Sequence, residues 1–323
     1  MEVSIYGTCY NNANVIRKSI DSIVSQFDLN GETELVITDN ESTDGTWDIL
    51  QDYNKKYKNV KLIRERCTRG KGRRIAYNST SGKYTFYIDL DTVYSPILSK
   101  LIKQLKEEYK GDRIMPFGFM DRATMDKIGN WGDLNNAEDG ELEARAISKG
   151  VTLSTFPAMI STNEITSGKR ELRFKKRRFS FKFFARQYRV ARDGLIGRGM
   201  KNIKAINKAY KGKAKIFMYF VYITLKLSGK KTRSYSEFSS SSEFIQRNRN
   251  LLDPSKYNID KRYWIYAFST RFISHDAETR LVNMLFEYGF NKLEFFKNSS
   301  VILYNDKTSA EVLENTKSLL KTI

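Results

Sequence analysis

Apolar residues recur along the first part of the chain in two alternating rhythms. Short apolar runs at residues 3–8, 34–38, 60–63 and 84–88 read as buried strands. Residues 15–25 place Val15, Ile16, Ile20, Ile23 and Val24 at helical spacing, and residues 47–57 do the same with Trp47, Leu50 and Tyr53. A third helix is expected to open at Gly70 and run to Asn78. Such alternation predicts an α/β fold, a mostly parallel sheet with helices on both faces. Ligands of such sheets bind beyond the carboxyl ends of the strands. Three polar clusters fall there: Tyr10-Asn11-Asn12, Asp39-Asn40 and Asp89-Leu90-Asp91. Three separate segments should therefore converge on one sheet edge.

The rhythm changes from Ser167. Residues 169–178 carry seven basic side chains in ten positions. Residues 180–193 follow, with Phe181, Phe184, Ala185, Tyr188 and Ala191 on one helical face and Lys182, Arg186, Arg189 and Arg192 on the other. Gly194, Gly197 and Gly199 are expected to break that helix. Residues 216–227 form an apolar stretch, and serines around 234–242 suggest a hinge. The tail predicts strand 263–268, helix 275–288, strands 292–296 and 300–304, and helix 309–322. The expected organisation is a nucleotide-binding and catalytic unit at 1–165, a basic amphipathic helical segment at 166–235, and a small α/β domain at 236–323.

Composition narrows the chemistry. A hydrophobic content of 40% with 29% charged residues fits a folded rather than a disordered chain. The formal net charge of +19 attracts polyanions: nucleic acid, anionic lipid or phosphorylated substrates. A single histidine, His275, argues against a histidine-rich metal site and against Ser-His or Cys-His machinery. It is read as a residue at the start of a tail helix. Cys9 and Cys67 have no metal-ligand spacing and are expected as free thiols of a reducing compartment. No signal-peptide pattern opens the chain, and no window reaches the roughly 20 apolar residues that span a bilayer.

Candidate chemistry concentrates at the strand ends. The run Tyr84-Thr85-Phe86-Tyr87-Ile88-Asp89-Leu90-Asp91 ends an apolar strand in two carboxylates one residue apart. Like charges so close call for a cation or donors between them, and a divalent ion holding a diphosphate would satisfy them. A turn that happens to contain two aspartates has the same spacing. In Asp39-Asn40-Glu41-Ser42-Thr43-Asp44-Gly45-Thr46, Asx-turn and N-cap preferences account for Ser42 to Thr46. They account less well for Asp39, whose carboxylate could accept hydrogen bonds from a nucleobase. Gly70-Lys71-Gly72-Arg73-Arg74 at a helix start suits a phosphate.

Taken together, these segments resemble the family 2 glycosyltransferases of GT-A (Rossmann-like) fold over roughly residues 1–195. Val3 to Asn12 looks like that family's opening strand, with Thr8 in the usual proline position and Tyr10 as the nucleotide-stacking tyrosine. Residues 37–46 are similar to its second-strand motif, in which Asp39 would contact the base. Gly72-Arg73-Arg74-Ile75-Ala76-Tyr77-Asn78 resembles its helix opening, and Ser81-Gly82-Lys83-Tyr84 precedes the DxD strand as the family leads one to expect. The resemblance implies Thr8, Tyr10, Asn12, Asp39, Arg73 and Asp89 on the donor nucleotide sugar. It implies Asp91 on Mg2+ or Mn2+ that neutralises the departing diphosphate. Thr92 stands where an acidic residue often follows, and Glu41 where glycine is common.

Ala137-Glu138-Asp139-Gly140-Glu141-Leu142-Glu143-Ala144-Arg145 is similar to the family's Glu-Asp motif. That implies Asp139 as the base on the acceptor hydroxyl, Glu138 as its neighbour, and inversion at the anomeric carbon. The base needs reach to the acceptor oxygen and a pKa drawn towards neutrality by burial or by acids such as Glu138, Glu141 and Glu143. Phe184-Ala185-Arg186-Gln187-Tyr188-Arg189 looks like the helix that family members acting on lipid-linked acceptors carry. Arg186, Gln187 and Arg189 are therefore expected to touch acceptor or anionic membrane. No RNA- or DNA-binding motif accompanies the charge, so nucleic acid is not an expected partner.

The resulting expectation is a metal-dependent transferase, peripheral on the cytoplasmic face of a membrane. It would move sugar from a nucleoside-diphosphate donor to a lipid-linked or glycan acceptor. Its rivals are a nucleotidyltransferase of related fold and a non-catalytic protein that binds anionic membrane.

Overall fold

The computed structural model describes residues 1–162, 181–197, 203, 206–207, 212–229, 241–270, 273–296 and 299–321. The basic run 169–178, most of the 234–242 stretch and Gly199 fall outside them. Strands β1 (Val3–Cys9), β2 (Thr33–Asp39), β3 (Val60–Arg64) and β4 (Tyr84–Asp89) run parallel, and β7 (Met120–Asp121) closes the edge antiparallel to β4. Their order is β3-β2-β1-β4-β7.

Period-two alternation explains why the apolar runs are unbroken. Ile5, Leu35, Ile37, Phe86 and Ile88 enter one hydrophobic cluster, whereas Tyr6 and Val36 enter a second on the opposite face. Helices α1 (Ile16–Val24), α2 (Thr46–Lys56) and α4 (Leu98–Glu108) contribute Ile16, Ile20, Leu50 and Leu101 to the first cluster. Helices α3 (Arg69–Asn78), α5 (Arg122–Ile128) and α6 (Glu138–Ser148) contribute Ala76, Met125 and Leu142 to the second. The predicted mostly parallel sheet with helices on both faces is thus what forms.

Register levels the strand ends. Thr8 stands between Thr38 and Asp89, Cys9 opposite Asp39, and Asp39 opposite Arg64. The three polar clusters consequently meet at one edge, as the sequence pattern requires.

Smaller sheets complete the fold. β5 (Val93–Tyr94) pairs antiparallel with β9 (Ser161–Thr162), and β6 (Arg113–Ile114), β8 (Thr152–Thr155) and β10 (Arg249–Leu251) run parallel. The tail folds as β11 (Ile265–Ser269), α10 (His275–Glu287), β12 (Lys292–Phe295), β13 (Ser300–Tyr304) and α11 (Ala310–Lys321), matching the expected order. Its sheet is antiparallel, β11-β13-β12. His275 opens α10, where the Ser274 hydroxyl caps the helix by accepting from the Ala277 N–H. Trp264, Phe268, Leu285, Phe290 and Val301 of the tail share a cluster with Val3 and Ile5, so the tail packs on the core of the first sheet.

Between these regions lie α7 (Phe181–Gly197), α8 (Gly212–Leu227) and α9 (Ser241–Asn248). The expectation that Gly194 breaks the helix is corrected: α7 runs through it and reaches Gly197, the last described residue of that stretch. Gly197 is needed for closeness, since a Cβ there would sit 2.8 Å from the Ala137 carbonyl oxygen. Among the described residues no helix is long and apolar enough to cross a membrane.

Candidate active site

The loop after β2 is built almost wholly from side-chain-to-backbone hydrogen bonds. The Asp39 carboxylate, with no exposed surface, accepts from the Ser42 N–H at 3.0 Å and the Cys9 thiol at 3.6 Å, and faces Arg64 at 3.6 Å. Ser42 Oγ in turn accepts from the Asn11 N–H, and Asn11 Oδ1 accepts from the Thr43 N–H, each at 2.9 Å. Asp44 accepts from Ala13 and Thr46, and Thr46 Oγ1 accepts from the Asn12 N–H at 2.8 Å. Residues 10–13 and 39–46 are thereby laced into one rigid rim. Asp39 is committed to that lacing, so in this structure its carboxylate offers no open oxygen to a nucleobase. Glu41, where the family commonly has glycine, holds φ at 52°. The glycine-like backbone shape is kept by a residue for which it is strained.

Above this rim Tyr10 is 56% exposed, a ring held at the end of a central strand. Thr8 is turned into the fold and donates to the Thr38 carbonyl oxygen at 2.9 Å. Asn12 reaches across the edge to the Leu90 carbonyl oxygen at 3.5 Å.

The glycine-rich start of α3 has another use than the expected phosphate cradle. The N–H groups of Arg69, Gly70, Lys71 and Gly72 are taken by Asn135 Oδ1, the Leu134 carbonyl, Thr68 Oγ1 and the Thr68 carbonyl. A Cβ on Gly70 would lie 2.0 Å from the Gly132 carbonyl oxygen, so glycine there serves contact with the 132–135 loop. Phosphate loops and tight helix-to-loop packing ask for the same residues, which is why sequence did not separate them.

Arg73 is the hub. Its buried guanidinium stacks between Tyr87 and Trp131, 4.7 and 4.8 Å from their ring centres. Nη2 donates to Asp89 Oδ1 at 2.6 Å and Nη1 to Glu138 Oε1 at 3.0 Å. Burial opposes its charge, but Asp89, Tyr87, Glu138 and Asp139 outweigh that and hold it protonated even more firmly than usual. One cation thus joins the end of β4 to the start of α6.

Asp89 closes β4 with an exposed side chain, and Leu90 and Asp91 form the turn that follows. Among the described residues no three His, Cys, Asp or Glu side chains gather into a cage for a metal. An ion arriving with a diphosphate needs none, because Mg2+ takes one or two carboxylates beside phosphate oxygens and water. Half-buried Asp91, two residues beyond Asp89, is a hard-oxygen donor set of that kind. The residues present fit an ion carried in with a diphosphate.

At the start of α6 the two acids diverge. Glu138 is buried between Arg73 and Arg69, with Oε2 lacking a hydrogen-bond partner. Asp139 is exposed, its Oδ1 accepting from the Gly140 N–H at 2.8 Å. Glu141, expected to repel the base, is instead spent on a buried fork with Arg145 at 2.7 and 3.0 Å. Glu143 stands one turn beyond Asp139: burial raises its own pKa, Arg249 opposes and Asp139 adds to the rise.

Several partners escaped the sequence reading. Arg249 on β10 donates to Glu143 Oε2 at 2.8 Å, bringing the tail to the helix of the acids. Asp193 on α7, fully buried, accepts from the Asn135 N–H at 2.9 Å, fixing α7 against the loop before Glu138. Both are lone charges with no motif around them. Arg186 and Gln187 are half-buried on α7, whereas Arg189 is exposed. Burial with Asp39 beside it pushes the Cys9 thiol well up, and burial raises Cys67 to about 11, so neither free thiol is a ready nucleophile.

Comparison with known proteins finds similarity over the first part of the chain. Residues 4–137 match the family described as "Glycosyl transferase family 2". A poly(ribitol-phosphate) beta-glucosyltransferase of Bacillus spizizenii is 36% identical over 95 residues, 28% of this chain and 15% of that protein. A putative teichuronic acid biosynthesis glycosyltransferase, TuaG, of Bacillus subtilis is 30% identical over 129 residues, 39% of this chain and 49% of that protein. The chain thus spans half or less of the curated relatives it matches. Among solved structures, S. aureus TarS 1-349 superposes with a TM-score of 0.48 at 13% identity, covering 96% of this chain and 98% of that one.

Proposed function

We propose that the chain, whose residues 4–137 match the family 2 glycosyltransferases, is an inverting glycosyltransferase. It moves a sugar from a nucleoside-diphosphate donor to a hydroxyl or phosphate of a lipid-linked or glycan acceptor. The observation that supports this best is Arg73 clamped between Asp89 and Glu138. It joins the donor-side carboxylate Asp89 and the Glu138-Asp139 helix start through a single cation.

In this reading the nucleobase stacks on Tyr10 above the rim, with Asn12 lining its approach and Thr8 bracing the strand end beneath it through the Thr38 carbonyl. Asp39 acts by holding the rim in shape. Asp89, oriented by Arg73, offers its remaining oxygen to the donor nucleoside. Asp91 would hold Mg2+ or Mn2+, which when bound neutralises charge on the leaving diphosphate. The acceptor oxygen attacks the anomeric carbon from the face opposite the diphosphate and gives its proton to the Asp139 carboxylate. The bond from that carbon to the phosphate oxygen breaks, and the nucleoside diphosphate departs with the electron pair. One displacement inverts the anomeric centre. Glu138 positions Arg73 and the helix start; it need not touch the sugar.

The acceptor is polyanionic in this reading. One relative's name specifies poly(ribitol-phosphate), and a chain of net charge +19 attracts such a polymer. Arg186, Gln187 and Arg189 on α7, docked beside the acids through Asp193 and Gly197, would meet it at the cytoplasmic face of the membrane.

Turnover of a panel of nucleotide sugars with Mn2+ and an anionic glycopolymer tests the proposal. Asp91→Ala and Asp139→Asn should each cost at least about 100-fold, the lower range for losing a general base. Full activity in both variants would sink the assignment.

A further inference from the structure

The sequence offers the apolar face of α7 to a bilayer, but the structure spends much of that face elsewhere. Tyr188 and Ala191 of α7 pack on a buried cluster of Leu195, Ile206, Met218, Val221 and Leu225, the last three from α8. The opposite side of α8 carries Ile216, Phe220, Ile223 and Leu227 at 69%, 53%, 54% and 82% exposure. Their spacings of four, three and four place them in one row along the helix. Phe184 of α7, 58% exposed, meets Phe217 edge-to-face at 5.7 Å and widens the row at one end. A contiguous apolar row of this size facing water marks an interaction surface.

Its borders identify the partner. Lys213 and Lys226 are exposed and Lys215 half-exposed, and α8 contains no acidic residue. Lys215 lies over the Tyr219 ring at 5.8 Å and Lys226 over Tyr222 at 5.5 Å, so their stems run along aromatic surface towards the rim of the row. Apolar residues bordered by Lys and Tyr, without counter-charge, complement acyl chains beneath phosphate headgroups. Sixteen residues make a helix about 24 Å long, short of the roughly 30 Å hydrocarbon core. The helix therefore suits the plane of the surface rather than a crossing.

We propose that α8 lies in the surface of an anionic bilayer, with Ile216, Phe220, Ile223 and Leu227 among the acyl chains and Lys213, Lys215 and Lys226 at the headgroups. This deepens the membrane part of the proposed function and is independent of its chemistry.

Co-sedimentation with vesicles of phosphatidylcholine alone, and of phosphatidylcholine with phosphatidylglycerol, tests it. The full chain should partition at least tenfold more strongly onto the anionic vesicles, and added salt should weaken that binding. Phe220→Asp with Ile223→Asp should reduce the partitioning at least tenfold. Because both side chains are exposed, the melting temperature and the turnover of donor with a soluble acceptor should stay unchanged. Unaltered vesicle binding by the double variant would overturn the assignment. So would a wild-type chain that ignores vesicles yet runs as a dimer that the double variant dissociates, since the row would then join two copies. Absence of turnover in both proteins, with vesicle binding intact in the wild-type chain and reduced in the double variant, would reject the catalytic reading and leave this one standing.

Discussion

The guanidinium of Arg73 and the carboxylate of Glu138, both nearly sealed from solvent, pair at 3.0 Å. Neither charge is tolerable there alone, because removing one partner of a buried pair leaves the other desolvated and uncompensated. Arg73→Ala should therefore destabilise the protein by about 3 kcal/mol, near the lower end for such pairs because Arg69 still faces Glu138 at 3.4 Å. Glu138→Gln placed on top should recover part of the loss. Urea unfolding of the two single variants and the double one checks this: additive losses would mean that the pair is not a unit.

Elements and site differed in how legible they were. Strands β1, β2 and β4 were readable because they lie largely buried on both faces and so write nearly unbroken apolar runs. The meeting of Tyr10, Asp39 and Asp89 followed from parallel register. Arg73 was visible as one cation of a phosphate-suited helix start and through resemblance, but its bridging role was not, since nothing in a helix start names two carboxylates 16 and 65 residues further along the chain. Arg249 was invisible for the same reason: it lies 106 residues after Glu143, and one arginine in a short strand carries no pattern. The amphipathic reading of α7 was sound as periodicity, but periodicity does not say whether lipid or α8 covers the face.

Arg249 and Glu143 form the link between tail and acid helix. Arg249→Met should leave half-buried Glu143 without its cation, and its pKa, already above the ordinary 4.5, should climb further. The sign follows from which form is costly. Below pH 4.5 the carboxyl is protonated in folded and unfolded chains alike, and its ionisation costs nothing. As pH rises the unfolded chain ionises first, so the variant loses stability progressively until the folded pKa is passed. Thermal melts from acid to neutral pH should show a deficit that grows with pH, and Glu143→Gln in the same background should abolish that growth.

Glu34 shows the opposite dependence. Although burial disfavours its charge, the Lys61 ammonium at 2.7 Å, the Ser4 hydroxyl at 2.6 Å and the Ser81 N–H and hydroxyl hold its pKa down at about 2. The carboxylate ties β1, β2 and the turn before β4 together. A depressed pKa contributes stability above the unfolded value of 4.5 and loses it as pH falls towards 2. A shift of that size is worth about 3 kcal/mol. Acid unfolding should therefore steepen between those two pH values, and Glu34→Gln should flatten that window while lowering stability at pH 7.

Glu41 holds a left-handed backbone at φ 52° in the rim beneath Tyr10. A side chain there costs about 1 kcal/mol or more, which glycine avoids at some expense in unfolded-state entropy. Glu41 is exposed, and the hydrogen bonds that shape the rim come from Asn11, Asp39, Ser42 and Asp44, so removing its side chain leaves the lacing intact. Glu41→Gly should raise the unfolding free energy by up to about 1 kcal/mol and leave the affinity for a nucleoside diphosphate within twofold. Glu41→Val, β-branched and ill-suited to positive φ, should lower stability instead and loosen nucleotide binding with it. Denaturant midpoints alongside a nucleotide titration decide the matter. Equal midpoints for the glycine and valine variants would mean that the loop relaxes freely, and that the rim is not the rigid support on which Tyr10 depends.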